Sequence, residues 1–553
     1  MSKEPRSKTA NPAKASTKEE EPPPPGDADR GAQPSPEAAA PPISSDRYPA
    51  RFQLSKRAAL GLGLLLPVVF VGINMWRVRS FTIDDAYISY RYARNLARGL
   101  GLVYNAGERI EGYTNFLWTV LLAGAIRVGL DPDVTAKILG ALSAFGALGF
   151  TYLLAERLKP FEVLPCVATW LLASSIVFSG YAVFGLETSF FVFLLLAGTW
   201  LFFRESDAAA AALPKPDRRA WNRALPLSGL VFGLAGITRP EAPLYIGILM
   251  LFLGRRFFSG QNILRGALFV LPVAAHVLWR RSYYGTWLPN TLSAKTGDLS
   301  AQIGWGWDYF QKYATTVGPV LYLGIFGVAV GYVARRREAL AFAVIAVLVA
   351  AYIVCVGGDW MPAYRFASPF EPFAFLLVDL AARDIIDRRS RVATLAFAGF
   401  AAVVMAQRGG SLESGRRWIL NEDRAWRDRT EGTTRWLLEH KPGTLALGDI
   451  GYIGYVTDYP ILDLLGLVDP VISKLPGAYT WKVGPGFTDR LFDVAPRYVL
   501  IISENMNCER PSVTGSRVIY KDKRFRQQYS LPPGGAIPVG GGFAWCIYQR
   551  KAD

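Results

Sequence analysis

Residues Ala58–Arg91 read AALGLGLLLPVVFVGINMWRVRSFTIDDAYISYR. Ala58–Trp76 carries no charge, and a helix needs about 20 predominantly apolar residues to cross a bilayer. Arg51, Lys56 and Arg57 precede the run, and basic residues beside a first span hold that end in the cytoplasm. The chain from Arg77 onward then emerges on the outer side, where it meets an adjacent carboxylate pair, Asp84-Asp85.

The rest of the chain repeats the apolar theme. Of 553 residues, 51% are hydrophobic, and the mean hydropathy is +0.20, which is high for a soluble domain. The net charge of +16 does not point to nucleic acid. Lys and Arg collect in short loops between apolar runs, as membrane sidedness requires. With two histidines, His276 and His440, neither a His-based zinc site nor a Ser-His-Asp triad is expected.

Asn115–Leu130 is too short to cross comfortably and is interrupted by Arg127, so it reads as a helix lying in the interface. That choice puts the basic loops at 156–160, 204–223, 254–265, 335–338 and 383–391 on the cytoplasmic side. Ten further spans are expected near 134–155, 163–182, 188–203, 225–238, 241–254, 263–279, 316–334, 339–356, 366–382 and 392–407. With the first they make eleven, and an odd count leaves the C-terminus outside. The expected fold is an α-helical polytopic membrane protein with a C-terminal periplasmic α/β domain. Its parts are a disordered cytoplasmic tail (1–55, rich in Pro, Ala, Ser, Lys and Glu), a membrane domain (56–408, with an outer loop and interfacial helices at 81–130) and a soluble domain (409–553). In the last, Thr444–Gly448 and Tyr498–Ile502 have strand character. Cys508 and Cys546 also lie there, where an oxidising compartment would permit a disulfide.

On this topology six polar clusters fall at outer span ends: 81–91, 107–115, 185–188, 238–241, Arg280-Arg281 with 288–295, and 357–365. Charges there are costly unless they pair or face water, so one shared outer cavity is expected. Neighbouring residues of a helix point in different directions, so Asp84 and Asp85 are not expected to share a task. One would take a proton, while the other holds a helix start or a cation. Arg91, Arg94 and Arg98 share a helix face. They suit a lipid phosphate, or more simply a solvated face paired with Glu108 or Glu111. Lys295 and Arg365 follow Gly- or Pro-marked loops and are better phosphate candidates. The outer aromatics, Trp360 among them, suit sugar stacking and equally an interfacial aromatic belt.

This layout resembles the GT-C glycosyltransferases, which use polyprenyl-phosphate sugars. Asp84-Asp85 after the first span and the interfacial run Asn115–Leu130 match that superfamily's acidic pair and outer amphipathic helices. Asp84–Arg91, Glu111-Gly112-Tyr113-Thr114, Thr238-Arg239-Pro240-Glu241, Leu288-Pro289-Asn290-Thr291, Gly357-Gly358-Asp359-Trp360-Met361, Gly448-Asp449-Ile450-Gly451 and Asp463–Leu467 look similar to the mycobacterial terminal arabinofuranosyltransferase family. The resemblance implies an inner-membrane enzyme with a cytoplasmic N-terminus and periplasmic C-terminus, whose partners are a polyprenyl-phosphate sugar, a glycan, lipid or protein acceptor, and membrane lipids.

The expected catalytic residues are Asp84, as base, and Asp85. The expected substrate-binding residues are Tyr87, Arg91, Glu111, Tyr113, Thr114, Glu187, Arg239, Glu241, Arg281, Asn290, Lys295, Asp359, Trp360 and Arg365. One displacement with one base would invert the anomeric centre. No obligatory metal is expected, although Asp84, Asp85, Glu111, Glu187 and Asp359 offer hard oxygens suited to Mg2+ or Ca2+. A transporter or flippase of lipid-linked saccharide, or a non-catalytic scaffold, would be the alternative. The former should show repeats and mid-span charges, which the chain lacks.

Overall fold

A computed structural model describes residues 54–211, 225–318, 320–387, 391–477, 482–539 and 542–551. The expected tail, apart from its last two residues, lies outside them. The described chain is a compact bundle of helices carrying a six-stranded sheet near its C-terminus.

Among the described residues six helices are long and apolar enough to cross a membrane: Lys56–Val78, Pro132–Leu158, Thr188–Ala209, Gly260–Tyr284, Arg337–Cys355 and Thr394–Glu439. The bent pair Leu299–Val317 and Val320–Val333 makes a seventh if counted as one span. The count of eleven is therefore not reproduced by helix length, and an odd count cannot be used to place the termini. The reason is local. The expected span 163–182 divides into Val167–Ala173 and Ile176–Tyr181, because the Ser175 side chain accepts the N–H of Phe178 and starts a new helix. Around Arg239-Pro240, Leu227–Thr238 and Ala242–Leu251 form separate helices of 12 and 10 residues. At 1.5 Å per residue these are about 18 and 15 Å long, short of the roughly 30 Å hydrocarbon core. The segment expected at 366–382 is the 17-residue helix Glu371–Asp387. Phe116–Arg127, the expected interfacial helix, has 12 residues.

Helix Arg391–Glu439 is continuous for 49 residues, so the boundary expected at 408/409 falls inside it. Its first third is apolar and the remainder charged. It delivers the chain to the sheet, whose strands are β1 (Leu445–Leu447), β2 (Ile461–Asp463), β3 (Tyr498–Glu504), β4 (Tyr529–Ser530), β5 (Ala536–Pro538) and β6 (Phe543–Arg550). The order is β2-β1-β3-β6-β4, with β5 also on β6. β1 pairs in parallel with β2 and β3, while β6 runs antiparallel to β3.

Alternation along these strands gives the sheet two apolar faces. Ala446, Val499, Ile501, Ala544 and Cys546 face a small core with Phe487, Leu491, Ile519 and Phe525. Leu445, Leu447, Tyr498, Leu500, Trp545 and Ile547 face the other way, in one cluster with Ile88, Tyr92, Tyr104, Tyr113 and Tyr284. The second face thus closes over the juxtamembrane segment that carries the acidic pair. Cys508 and Cys546 are disulfide-bonded, with Cα atoms 5.6 Å apart.

Candidate active site

Helix Asp84–Ala97 separates its side chains at 100° per residue into two faces. Asp85, Ile88 and Ser89 line a cavity of about 400 Å³. Asp84, Arg91, Arg94 and Arg98 turn to the C-terminal domain. Asp84 is buried, and its two carboxylate oxygens accept the backbone N–H groups of Gly451 (2.9 Å) and Tyr452 (2.6 Å). Helix Gly451–Thr457 has no cap of its own from the side chain of Ile450, so Asp84 caps it from across the junction. Gly451 permits this approach, because a Cβ there would lie 2.0 Å from the Asp84 carbonyl oxygen.

Arg91 donates to the carbonyls of Tyr104 (2.9 Å), Gly454 (2.7 Å) and Tyr459 (2.8 Å). Arg94 and Arg98 both pair with Asp458 at 2.6 Å. The basic face is therefore paired, as the simpler reading expected, although its partner is Asp458 rather than Glu108 or Glu111. Glu111 instead pairs with Arg280 at 2.5 Å.

The cavity is the meeting point of many of the expected residues: Asp85, Tyr113, Thr114, Glu187, Arg239, Glu241, Lys295 and Arg365 all line it. A continuous polar wall runs through it. Asn115 donates to Ser89 (3.0 Å) and to Glu187 (2.8 Å), while Arg239 pairs with Glu187 (2.8 Å) and Glu241 (2.6 Å). Burial works against the Glu187 charge, but Arg239, Arg365 and Asn115 hold its carboxyl below the usual range. The two glutamates of the wall are thus committed to Arg239.

Asp85 is different. Its side chain forms no ion pair or hydrogen bond among the described residues. Burial pushes its carboxyl up, the charges of Lys295 and Arg365 pull it down, and Asp359 and Glu187 push it up again, with a net rise. A cavity-facing carboxylate of raised proton affinity beside two cations can accept a proton next to an anion-holding site.

Several expected residues lie elsewhere. Tyr87 packs edge-on against Tyr90 and Tyr452. Arg281 bonds to the Gly285 carbonyl and lies beside Trp287. Asn290 holds the carbonyls of Gly466 (2.8 Å) and Leu467 (2.9 Å), and Leu467 in turn lines the cavity. Asp359 and Trp360 line a second cavity, and Asp359 pairs with Arg365 at 2.8 Å. The five carboxylates offered as hard ligands do not converge: among the described residues no three His, Cys, Asp or Glu side chains group as a metal would need.

Arg280 and His276, which are not among the expected binding residues, also line the cavity. Val273, His276, Val277 and Arg280 all line it, at the i, i+3, i+4, i+7 spacing of one helix face. That spacing was a usable signal for choosing Arg280 over Arg281.

Compared with solved structures, the chain superposes on ArnT from Cupriavidus metallidurans bound to undecaprenyl phosphate, with a TM-score of 0.51, 12% identity, and coverage of 89% of this chain and 98% of that one. The apo form of the same protein gives 0.51 with 13% identity, over 89% and 98% of the two chains. The fold is the GT-C fold. In sequence the GT-C chain is similar to the terminal β-(1→2)-arabinofuranosyltransferase of Corynebacterium glutamicum, 26% identical over 74% of this chain and 64% of the relative. It is also similar to the enzyme of the same name from Mycobacterium tuberculosis, 30% identical over 44% of this chain and 40% of the relative. The matches thus span under two thirds of these relatives' lengths. Residues 420–548 match DUF8728, a domain of unknown function.

Proposed function

We propose that this chain is a glycosyltransferase that moves a sugar from a polyprenyl-phosphate donor to a glycan, lipid or protein acceptor of the cell envelope. An acceptor hydroxyl attacks the anomeric carbon, a new carbon–oxygen bond forms there, and the bond to the phosphate oxygen breaks. Asp85 takes the hydroxyl proton and later returns it to water. The charge that develops on the departing phosphate is met by Lys295 and Arg365. One displacement inverts the anomeric centre.

The observation that carries this reading is the position of Asp85. It lies on the cavity wall, within electrostatic reach of Lys295 and Arg365, while the other cavity carboxylates are tied to Arg239. Asp84, the base expected from the acidic pair, has both oxygens engaged by backbone N–H groups away from the cavity. The base role therefore passes to Asp85. The reaction is assigned to the outer face of the cytoplasmic membrane, with the N-terminus inside. The Cys508–Cys546 disulfide supports an oxidising compartment for the C-terminal domain.

The test is sugar transfer or donor hydrolysis by the full chain against a panel of polyprenyl-phosphate sugars, with product anomers read by NMR. Asp85→Asn should lower turnover by about 10²–10⁴-fold, the range for a general base, with donor binding kept. Retention of configuration, or full activity in Asp85→Asn, would overturn the mechanism. No turnover and no binding of any donor by the wild type would overturn the function.

A further inference from the structure

A transferase with two substrates must hold both, and a cavity of about 400 Å³ is at the small end for even one organic ligand. A second cavity of about 920 Å³ lies on the other side of the loop Gly357–Arg365. The loop is a partition: Asp359 faces the second cavity, Arg365 faces the first, and the two are paired at 2.8 Å.

The partition is held in a demanding conformation. Ala363 and Tyr364 are consecutive non-glycine residues at φ 59° and 52°, which is costly and persists where surroundings enforce it. Here the Tyr181 hydroxyl donates to the Pro362 carbonyl (2.6 Å), and the Phe366 N–H donates to the Tyr309 hydroxyl (3.2 Å).

The lining of the second cavity combines flat apolar faces with hydroxyl and charged groups. Trp305, Trp360 and Trp418 come from three separate segments and surround one concavity together with Tyr309 and Tyr364. The three indoles remain 47%, 64% and 44% exposed. The same cavity is lined by the Asp308–Lys312 pair (2.6 Å) and by Thr315, Thr316, Ser411 and Ser414. Aromatics that only anchor a protein in a membrane interface need no such setting: they require one apolar end and one wet end. Indoles from three segments lining one concavity with hydroxyl and charged groups instead suit a chain of sugar rings, whose C–H faces pack on aromatics while their hydroxyls bond the polar groups.

We propose that this second cavity binds the saccharide chain of the acceptor, with Trp305, Trp360 and Trp418 as stacking platforms and the Gly357–Arg365 loop as the partition across which its terminal hydroxyl reaches Asp85. This inference rests on the glycosyltransferase reading and adds the acceptor's chemical class and location.

The experiment titrates the full chain in nanodiscs with an arabinofuranose hexasaccharide, followed by intrinsic tryptophan fluorescence and by the hexasaccharide KM for transfer. Because Trp305 and Trp418 lie outside the buried core, Trp305→Ala and Trp418→Ala should fold normally. Each is expected to weaken hexasaccharide binding and raise its KM by about tenfold, the scale of truncating one aromatic anchor. Hydrolysis of the donor by water needs the first cavity alone and should keep its rate. Unchanged hexasaccharide affinity in both variants, no binding by the wild type, or a defect confined to partitioning into vesicles would each overturn the proposal. A wild type that binds the hexasaccharide through these indoles but never consumes a polyprenyl-phosphate sugar would overturn the glycosyltransferase reading instead, so the two failures are distinguishable.

Discussion

Replacing Asp84 should damage the junction between the juxtamembrane helix and the C-terminal domain rather than the chemistry. Its carboxylate oxygens cap two backbone N–H groups at the start of helix Gly451–Thr457. Each buried donor left unpaired costs about 1–3 kcal/mol. Asp84→Ala abandons both, for about 2–6 kcal/mol, whereas Asp84→Asn keeps one acceptor oxygen and loses about 1–3 kcal/mol. In hydrogen exchange on the full chain, the Gly451 and Tyr452 amides of Asp84→Asn should therefore open roughly 5–150 times more often. Burial and the nearby Asp449 also push the Asp84 carboxyl up to about 8, against the two N–H donors. A folded value above the ordinary ~3.9 means that the junction favours the protonated form. Its contribution is full below about pH 4 and fades as pH rises toward 8. Protection of these amides in the wild type should fall over that range, and in Asp84→Asn it should not. Turnover of Asp84→Asn should fall far less than that of Asp85→Asn. If Asp84→Asn kept full amide protection while losing turnover, and Asp85→Asn stayed active, the division of labour between the two carboxylates would be refuted.

The raised proton affinity of Asp85 requires that kcat/KM be low in acid and climb with pH until the carboxyl has ionised. Asp85→Asn should flatten that limb, and a wild-type profile level from pH 4 to 8 would argue against this base. Lys295→Met should raise the donor KM by about 10–150-fold, the worth of one charge-assisted contact, and shift the acid limb to higher pH, because Lys295 pulls the Asp85 carboxyl down. Kinetics on donors of equal headgroup would show both effects. Opening the Cys508–Cys546 bridge, which closes a loop with a sequence separation of 38, should destabilise the C-terminal domain by about 2–4 kcal/mol, measured as a lowered Tm for Cys508→Ser/Cys546→Ser.

Much of this was legible in the sequence, for reasons that differ by element. Composition, the first span and the ordered polar motifs pointed to a GT-C membrane protein, and Thr444–Gly448 and Tyr498–Ile502 carried enough β-branched and apolar residues to be read as strands. Eight of the expected site residues share one cavity, because charges at outer span ends can escape lipid only by converging. The failures arose where apolarity and local spacing say nothing about distant partners. Hydropathy cannot reveal that Ser175 restarts a helix, or that the two segments expected at 225–238 and 241–254 form helices of only 12 and 10 residues. The roles of Asp84 and Arg91 depended on Gly451, Gly454 and Tyr459, residues more than 350 positions away. The choice of Arg280 over Arg281 was available from the helical face it shares with Val273, His276 and Val277, had that spacing been applied.

The Asp84 cap has a consequence for biogenesis. It joins residues separated by 367 positions, and Leu467, which lines the first cavity, is supplied by the same late segment. Ribosomes release the acidic helix long before the segment that completes it. A chain terminated early would leave the Asp84 carboxylate without the Gly451 and Tyr452 N–H groups. The contact between the acidic helix and helix Gly451–Thr457 thus forms only after the chain has been made through Tyr452, so a product terminated earlier would leave that face of the acidic helix without its partner.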